Sequence, residues 1–124
     1  MSKLILLVED DEDNRDLMEF VIARSGLDVE LALAENGQEA IEMTKAKRPD
    51  LILMDMQMPV MDGYQAVTIL KADPEFRDIP IIAFTAQARP EDKARTREIG
   101  CAEHYIKPMD PEELLAMIQK YIGN

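Results

Sequence analysis

The chain has 124 residues, a length that suits one domain, and its 47% hydrophobic content is enough to fill a core. Acidic residues outnumber basic ones by 25 to 14, giving a formal net charge of −11. That balance repels phosphate backbones and anionic lipid, so neither nucleic acid nor a membrane surface is expected as a partner.

In chain order, the first element is the apolar run Leu4-Ile5-Leu6-Leu7-Val8, followed by an acidic stretch to Asp16. Leu17, Phe20 and Val21 then recur at helical spacing, and Gly26 falls where that helix should stop. A weaker strand is expected over residues 29–34. Asn36 with Glu39 supplies a capping pair for a second helix. Leu51-Ile52-Leu53-Met54 is the next strand, and Asp62 with Gln65 caps the helix after it.

Ile81-Ile82-Ala83-Phe84 is the fourth strand. Pro90 suits a first helical position and Gly100 a stop. Residues 89–98 between them hold one clearly apolar side chain, Ala94, so a loosely held, solvated helix is expected there. The pair Tyr105-Ile106 is the fifth strand. Asp110 with Glu113 and Pro111 opens a last helix whose apolar stripe is Leu114, Ile118 and Tyr121.

Three of these strands are continuously apolar, the mark of strands covered on both faces by helices and therefore parallel. The pattern is β-α repeated five times with right-handed crossovers. Neither repeats nor a linker interrupts it, so one domain over residues 1–124 is expected, with no output domain. Cys101 has no partner for a disulfide or a multi-thiolate metal site and reads as a small packed residue. With no membrane-length apolar run and no signal-peptide cleavage region, a cytoplasmic protein is expected.

Strands one, three, four and five are followed by polar residues: Glu9 and Asp10, Asp55, Thr85, and Lys107. All carboxyl ends of a parallel sheet lie along one edge, where open α/β folds bind ligands. Three carboxylates gathered there repel one another unless a hard divalent cation relieves them, and Mg²⁺ suits two or three carboxylates plus water. With the Lys107 ammonium and the Thr85 hydroxyl they form a cradle for a phosphoryl group. A carboxylate also accepts phosphoryl as an acyl phosphate, and Asp55 is placed for it between the acidic pair and the Lys/Thr pair.

Simpler readings stand beside these. Asp11, Glu12 and Asp13 read as helix N-terminal acids, favoured by the macrodipole. Thr85 alone reads as a strand-end hydroxyl, Lys107 alone as a solvated lysine, and His104 alone as a partly buried ring. The methionines, including Met54, Met56, Met58 and Met61, read as core filling or loop anchors. The loop glycine and ligand spacing of an EF-hand are missing.

The stretches Leu7-Val8-Glu9-Asp10-Asp11, Asp50 to Gly63, Phe84-Thr85-Ala86 and Ile106-Lys107-Pro108 resemble the receiver domain of two-component response regulators. The likeness spans the chain: 45 residues separate Asp10 from Asp55, 30 separate Asp55 from Thr85, and 22 separate Thr85 from Lys107. It implies a doubly wound five-stranded parallel sheet of order 2-1-3-4-5 with five helices. It also implies that Asp55 takes phosphoryl from a phosphohistidine on a sensor kinase or a histidine phosphotransfer protein. Asp10 and Asp55 resemble direct Mg²⁺ ligands, Glu9 one acting through water, and the Gln57 backbone carbonyl the remaining protein ligand. Lys107 resembles the lysine that contacts the phosphoryl group, and the peptide bond before Pro108 is implied to be cis.

By the same resemblance Thr85 is the switch hydroxyl, and the switch aromatic position falls on His104, with Tyr105 adjacent. Gln57 and Gln87 fall at positions that modulate dephosphorylation. The implied protein is a phosphorelay switch and not an enzyme. It would signal to a downstream effector near the fourth helix, fifth strand and fifth helix, with kinase pairing near Asn14, Arg15 and Met18.

The main alternative is a Mg²⁺-dependent phosphohydrolase with an Asp nucleophile. Enzymes of the haloacid-dehalogenase family carry a general-acid Asp two residues after the nucleophile. Here that residue is Gln57, an amide that shuttles no proton. A flavodoxin-like cofactor binder needs a Ser/Thr/Gly-rich phosphate loop where this chain has Glu9-Asp10-Asp11-Glu12.

Overall fold

A computed structural model describes residues 2–86 and 89–123. Five strands alternate with five helices in the order β1 (Lys3–Val8), α1 (Glu12–Ala23), β2 (Val29–Ala34), α2 (Gly37–Ala46), β3 (Leu51–Asp55), α3 (Gly63–Ala72), β4 (Ile81–Thr85), α4 (Pro90–Ile99), β5 (Glu103–Ile106) and α5 (Pro111–Ile122). The strands form one parallel sheet of order β2-β1-β3-β4-β5, as expected.

The three apolar runs are β1, β3 and β4, the centre of the sheet. Alternate side chains of a strand point to opposite faces, so each run fills two cores at once. Leu6, Val8, Ile52, Met54, Ile81 and Ala83 pack under α2 and α3, while Ile5, Leu7, Leu51, Leu53, Ile82 and Phe84 pack under α1 and α5. The lateral rows Val8–Met54–Ala83–His104 and Asp55–Phe84–Tyr105 follow from the register.

Most of the expected helix starts form. The Asn36 side chain accepts from the Glu39 N–H and the Asp62 side chain from the Gln65 N–H. Glu39 in turn accepts from the Glu35 N–H, one residue ahead of the cap. Asp11 caps α1 by accepting from Asp13 and Asn14. Asp110 differs: it occupies the cap position of α5, but its side chain makes no capping bond, so Pro111 at the first turn is left to set the start.

One apolar pattern is corrected. Leu17 and Phe20 do not face the core but are each 55% exposed, with the Arg24 guanidinium 4.4 Å over the Phe20 ring. Ile22 is the buried residue of α1, and Met18 and Val21 pack partly against the core. In α4 Ala94 is exposed, and Thr96 is the buried residue, with Ile99 packed partly against the core. That helix is lightly anchored, as its composition implied, and Gly100 ends it in the left-handed region.

Gly63 opens α3 against the end of β3. A Cβ there would lie 2.3 Å from the Asp55 carbonyl oxygen, so only glycine lets the two elements meet. The loop between them holds Val60 at φ 69, a left-handed conformation that a β-branched residue adopts at a cost.

At the sheet edge, β5 meets α4 through His104. Its Nδ1 lies 3.4 Å from Thr96 Oγ1, while that hydroxyl donates to the Lys93 carbonyl at 2.9 Å. Where the hydroxyl proton stays on the Lys93 carbonyl, the ring nitrogen is the donor, which is the Nδ1–H tautomer of the neutral ring. Its Nε2 is buried with no partner among the described residues. Burial, and then the Lys93 charge, lower the ring's pKa below the usual 6.5, against the pull of Asp92.

Two outcomes are expected. Val60→Asn relieves the left-handed strain at a site 84% exposed and raises stability by about 1 kcal/mol in urea denaturation. His104, the one histidine in the chain, titrates below 6.5 in ¹H–¹⁵N NMR, with Nδ1 protonated in the neutral form. Because the unfolded chain then binds the extra proton first, stability falls as pH drops below 6.5 and levels off at the folded pKa.

Candidate functional site

The strand ends meet as the parallel topology requires. β1 leads into Glu9 and Asp10, β3 ends on Asp55, and β4 ends on Thr85. β5 leads into Lys107, whose peptide bond to Pro108 is cis. Backbone bonds fix the alignment: Glu9 N–H donates to the Ala34 carbonyl at 3.0 Å and Met56 N–H to the Phe84 carbonyl at 2.9 Å. Lys107 N–H donates to the Thr85 carbonyl at 2.8 Å.

Lys107 joins the two sides of the site. Its Nζ lies 2.7 Å from Glu9 Oε1 and 2.9 Å from Asp55 Oδ2. Glu9 and Asp55 are each 2% exposed, whereas Asp10 is open to solvent. One carboxylate oxygen from each of Glu9, Asp10 and Asp55 lies within 4.8 Å of the others. This all-oxygen donor set, part buried and part open, fits a hard divalent cation that keeps some of its water.

The charges show in the titration behaviour. Burial pushes the Glu9 carboxyl up to about 7, helped by Asp55 and opposed by Lys107. Burial pulls Lys107 down, but its hydrogen bonds to Glu9 and Asp55 outweigh that and leave its pKa raised. One ammonium therefore compensates two buried acids incompletely, which leaves the cluster short of positive charge.

Gln57 lies over the same site. Its N–H donates to Asp55 Oδ1 at 3.0 Å, and its side-chain Oε1 accepts from the Ala86 N–H at 3.3 Å. Thr85 is buried at the end of β4, one register step beyond the Asp55–Phe84 pair. His104 is not in the carboxylate cluster. Its row places it on the Thr85 face of the sheet, while Tyr105 lies on the opposite face, stacked on Phe84 with ring centroids 6.1 Å apart. Gln87 lies outside the described residues.

Three participants have no sequence signature. The Ala86 N–H is a backbone group, and Thr96 is a threonine in a helix with little apolar pattern. Arg15 Nη1 donates to the Glu9 carbonyl at 3.0 Å from a position expected only to serve partner choice. A carboxylate flanked by an ammonium, two more acids and backbone donors has the parts of a phosphoryl-accepting centre.

Comparison with known proteins agrees with this geometry. The family model described as "Response regulator receiver domain" matches residues 5–119. The polar-differentiation response regulator DivK of Brucella anthropi is 40% identical over 124 residues, covering 100% of this chain and 99% of its own. Among solved structures, the receiver domain of the sensor histidine kinase PA1611 of Pseudomonas aeruginosa is 34% identical, covers 100% of both chains and superposes with a TM-score of 0.89. That structure has a magnesium ion coordinated in its active-site cleft. The receiver domain of Ssk1, solved with the histidine phosphotransfer protein Ypd1 of Saccharomyces cerevisiae, is 26% identical, with coverage of 97% and 88% and a TM-score of 0.88. An acid cluster at the carboxyl edge of a 2-1-3-4-5 sheet, matched along nearly its whole length, is that of a response-regulator receiver, and the chain belongs to this family.

Proposed function

We propose that the chain is a phosphorelay switch that accepts phosphoryl on Asp55 from a phosphohistidine of a sensor kinase or histidine phosphotransfer protein. The observation that carries this reading is the Lys107 ammonium held between buried Glu9 and Asp55, with exposed Asp10 beside them. A carboxylate oxygen of Asp55 attacks phosphorus and the P–N bond breaks. The departing imidazole keeps the electron pair and takes a proton.

Asp10, Asp55 and the Gln57 carbonyl would hold Mg²⁺ directly, and Glu9 through water. When bound, the ion supplies positive charge against the phosphoryl oxygens. Lys107 neutralises charge on the same group, and Gln57 N–H orients Asp55 through Oδ1. Thr85 serves as the switch hydroxyl and His104 as the ring that answers it, a role supported by their shared face of the sheet. Gln57 and Gln87 modulate the lifetime of the phosphoryl group.

The phosphodonor docks beside α1. A groove of about 410 Å³ lies there, lined by Leu17, Met18, Val21 and Met109 and reaching Glu9 and Lys107. Exposed Leu17 extends this apolar surface toward a partner. A downstream effector reads the face of α4, β5 and α5, where the lightly anchored α4 can hold two arrangements close in energy. No described helix is long and apolar enough to cross a membrane, and a buried free thiol at Cys101 suits the reducing cytoplasm.

Two outcomes test this reading. With a small phosphodonor and Mg²⁺, the native chain is expected to gain a phosphate label, lost in Asp55→Asn and on chelation of Mg²⁺, by Phos-tag gel and intact mass. Label persisting in Asp55→Asn contradicts the assignment, and steady turnover of phosphate esters would instead support a hydrolase. Leu17→Glu is expected to slow transfer from a phosphorylated donor protein at least tenfold while leaving labelling by the small phosphodonor unchanged.

A further inference from the structure

Asp10 is the exposed member of the carboxylate cluster, and among the described residues its side chain makes no hydrogen bond or ion pair. Its place is set by the peptide groups on either side of it. The N–H of the following peptide, that of Asp11, donates to Glu9 Oε2 at 3.2 Å, while Glu9 Oε1 holds Lys107. The carbonyl of the preceding peptide, that of Glu9, accepts from Arg15 Nη1 at 3.0 Å. One tie comes from inside the site, and the other comes from α1.

The start of α1 brings Arg15 to this carbonyl. Its backbone N–H donates to the Asp11 carbonyl at 2.9 Å in the first turn, so its side chain begins beside the loop that it holds. That side chain is only 14% exposed. Among the described residues its one ion-pair partner is Glu35, 3.8 Å away and largely in solvent, so the Glu9 carbonyl is its closest contact. A charged donor makes a stronger hydrogen bond than a neutral one, and a guanidinium held by burial keeps the Glu9–Asp10 peptide from turning.

This tie acts on a bound cation in two opposed ways. The positive charge of Arg15 opposes a divalent ion, and does so equally for Mg²⁺ and Ca²⁺. A fixed Asp10 favours Mg²⁺, which demands near-octahedral geometry, over Ca²⁺, whose coordination is larger and more flexible.

We propose that Arg15 is a positioning residue: through the Glu9 carbonyl it fixes the Asp10 carboxylate and gives the site its preference for Mg²⁺ over Ca²⁺. This rests on the reading that Glu9, Asp10 and Asp55 hold the cation.

Titrations of the full chain with Mg²⁺ and with Ca²⁺, followed by ¹H–¹⁵N NMR, test this. Arg15→Met keeps the aliphatic stem without charge or donors, and Arg15→Lys keeps the charge without the planar fork. Arg15→Met is expected to weaken Mg²⁺ binding about tenfold, the equivalent of one charge-assisted hydrogen bond, and to leave Ca²⁺ binding within about twofold of native. Arg15→Lys is expected to lose preference for Mg²⁺ in the same direction, and it decides the matter if Arg15→Met does not fold. Removal of charge alone would tighten both cations equally. A merely structural role would lower the melting temperature of the cation-free chain and leave the ratio of the two affinities at its native value. Either result overturns the proposal. Failure of the native chain itself to bind Mg²⁺ overturns the cation site on which it rests.

Discussion

The arrangement depends on one ammonium. Lys107 sits between two carboxylates that are almost fully buried, and without it Glu9 and Asp55 would face each other in a poorly solvated pocket. One positive charge against two acids, with a third acid at the rim, leaves the site attractive to a further cation. On the proposed reading, that further cation is what a phosphoryl group on the central-strand carboxylate would require. Each strand of the sheet except the β2 edge contributes to this rim, so the fold and the charge arrangement are one constraint.

Rigidity falls off across the sheet from that point. β1, β3 and β4 are buried on both faces and hold the acids in register. β5 is a short edge strand of four residues, and α4 beside it buries Thr96 alone. The α5 side is tighter. Glu103 accepts from Lys120 Nζ at 2.8 Å, from Tyr105 at 2.5 Å and from Tyr121, which holds its carboxyl down at about 2. A stiff chemical centre next to a lightly packed face suits the proposed switch, since the lightly packed face has the least packing to lose on rearranging.

His104 belongs to the soft side. A neutral ring with one nitrogen on Thr96 and the other buried without a partner among the described residues is held by packing more than by hydrogen bonds. A phenol or a phenyl ring in that place would carry no such orphaned acceptor. The fit between β5 and α4 in this chain is therefore more sensitive to the polarity of its surroundings than an all-carbon ring would make it.

The apolar runs by themselves determined that the central strands are buried on both faces and hence parallel, because local composition encodes burial. The polar residues that end those runs determined what lines the edge, because topology sends every strand end there. Tertiary structure alone decided which α1 residues face inward. Leu17 and Phe20 share helical spacing with Val21, but the way α1 lies on the sheet buries Ile22 and leaves them 55% exposed. It alone decided that His104 and not Tyr105 shares a face with Thr85, since a one-residue change of register exchanges them. It also decided the bond from Gln57 to Ala86, because a backbone N–H has no letter in the sequence and its partner is set by how two loops meet in space.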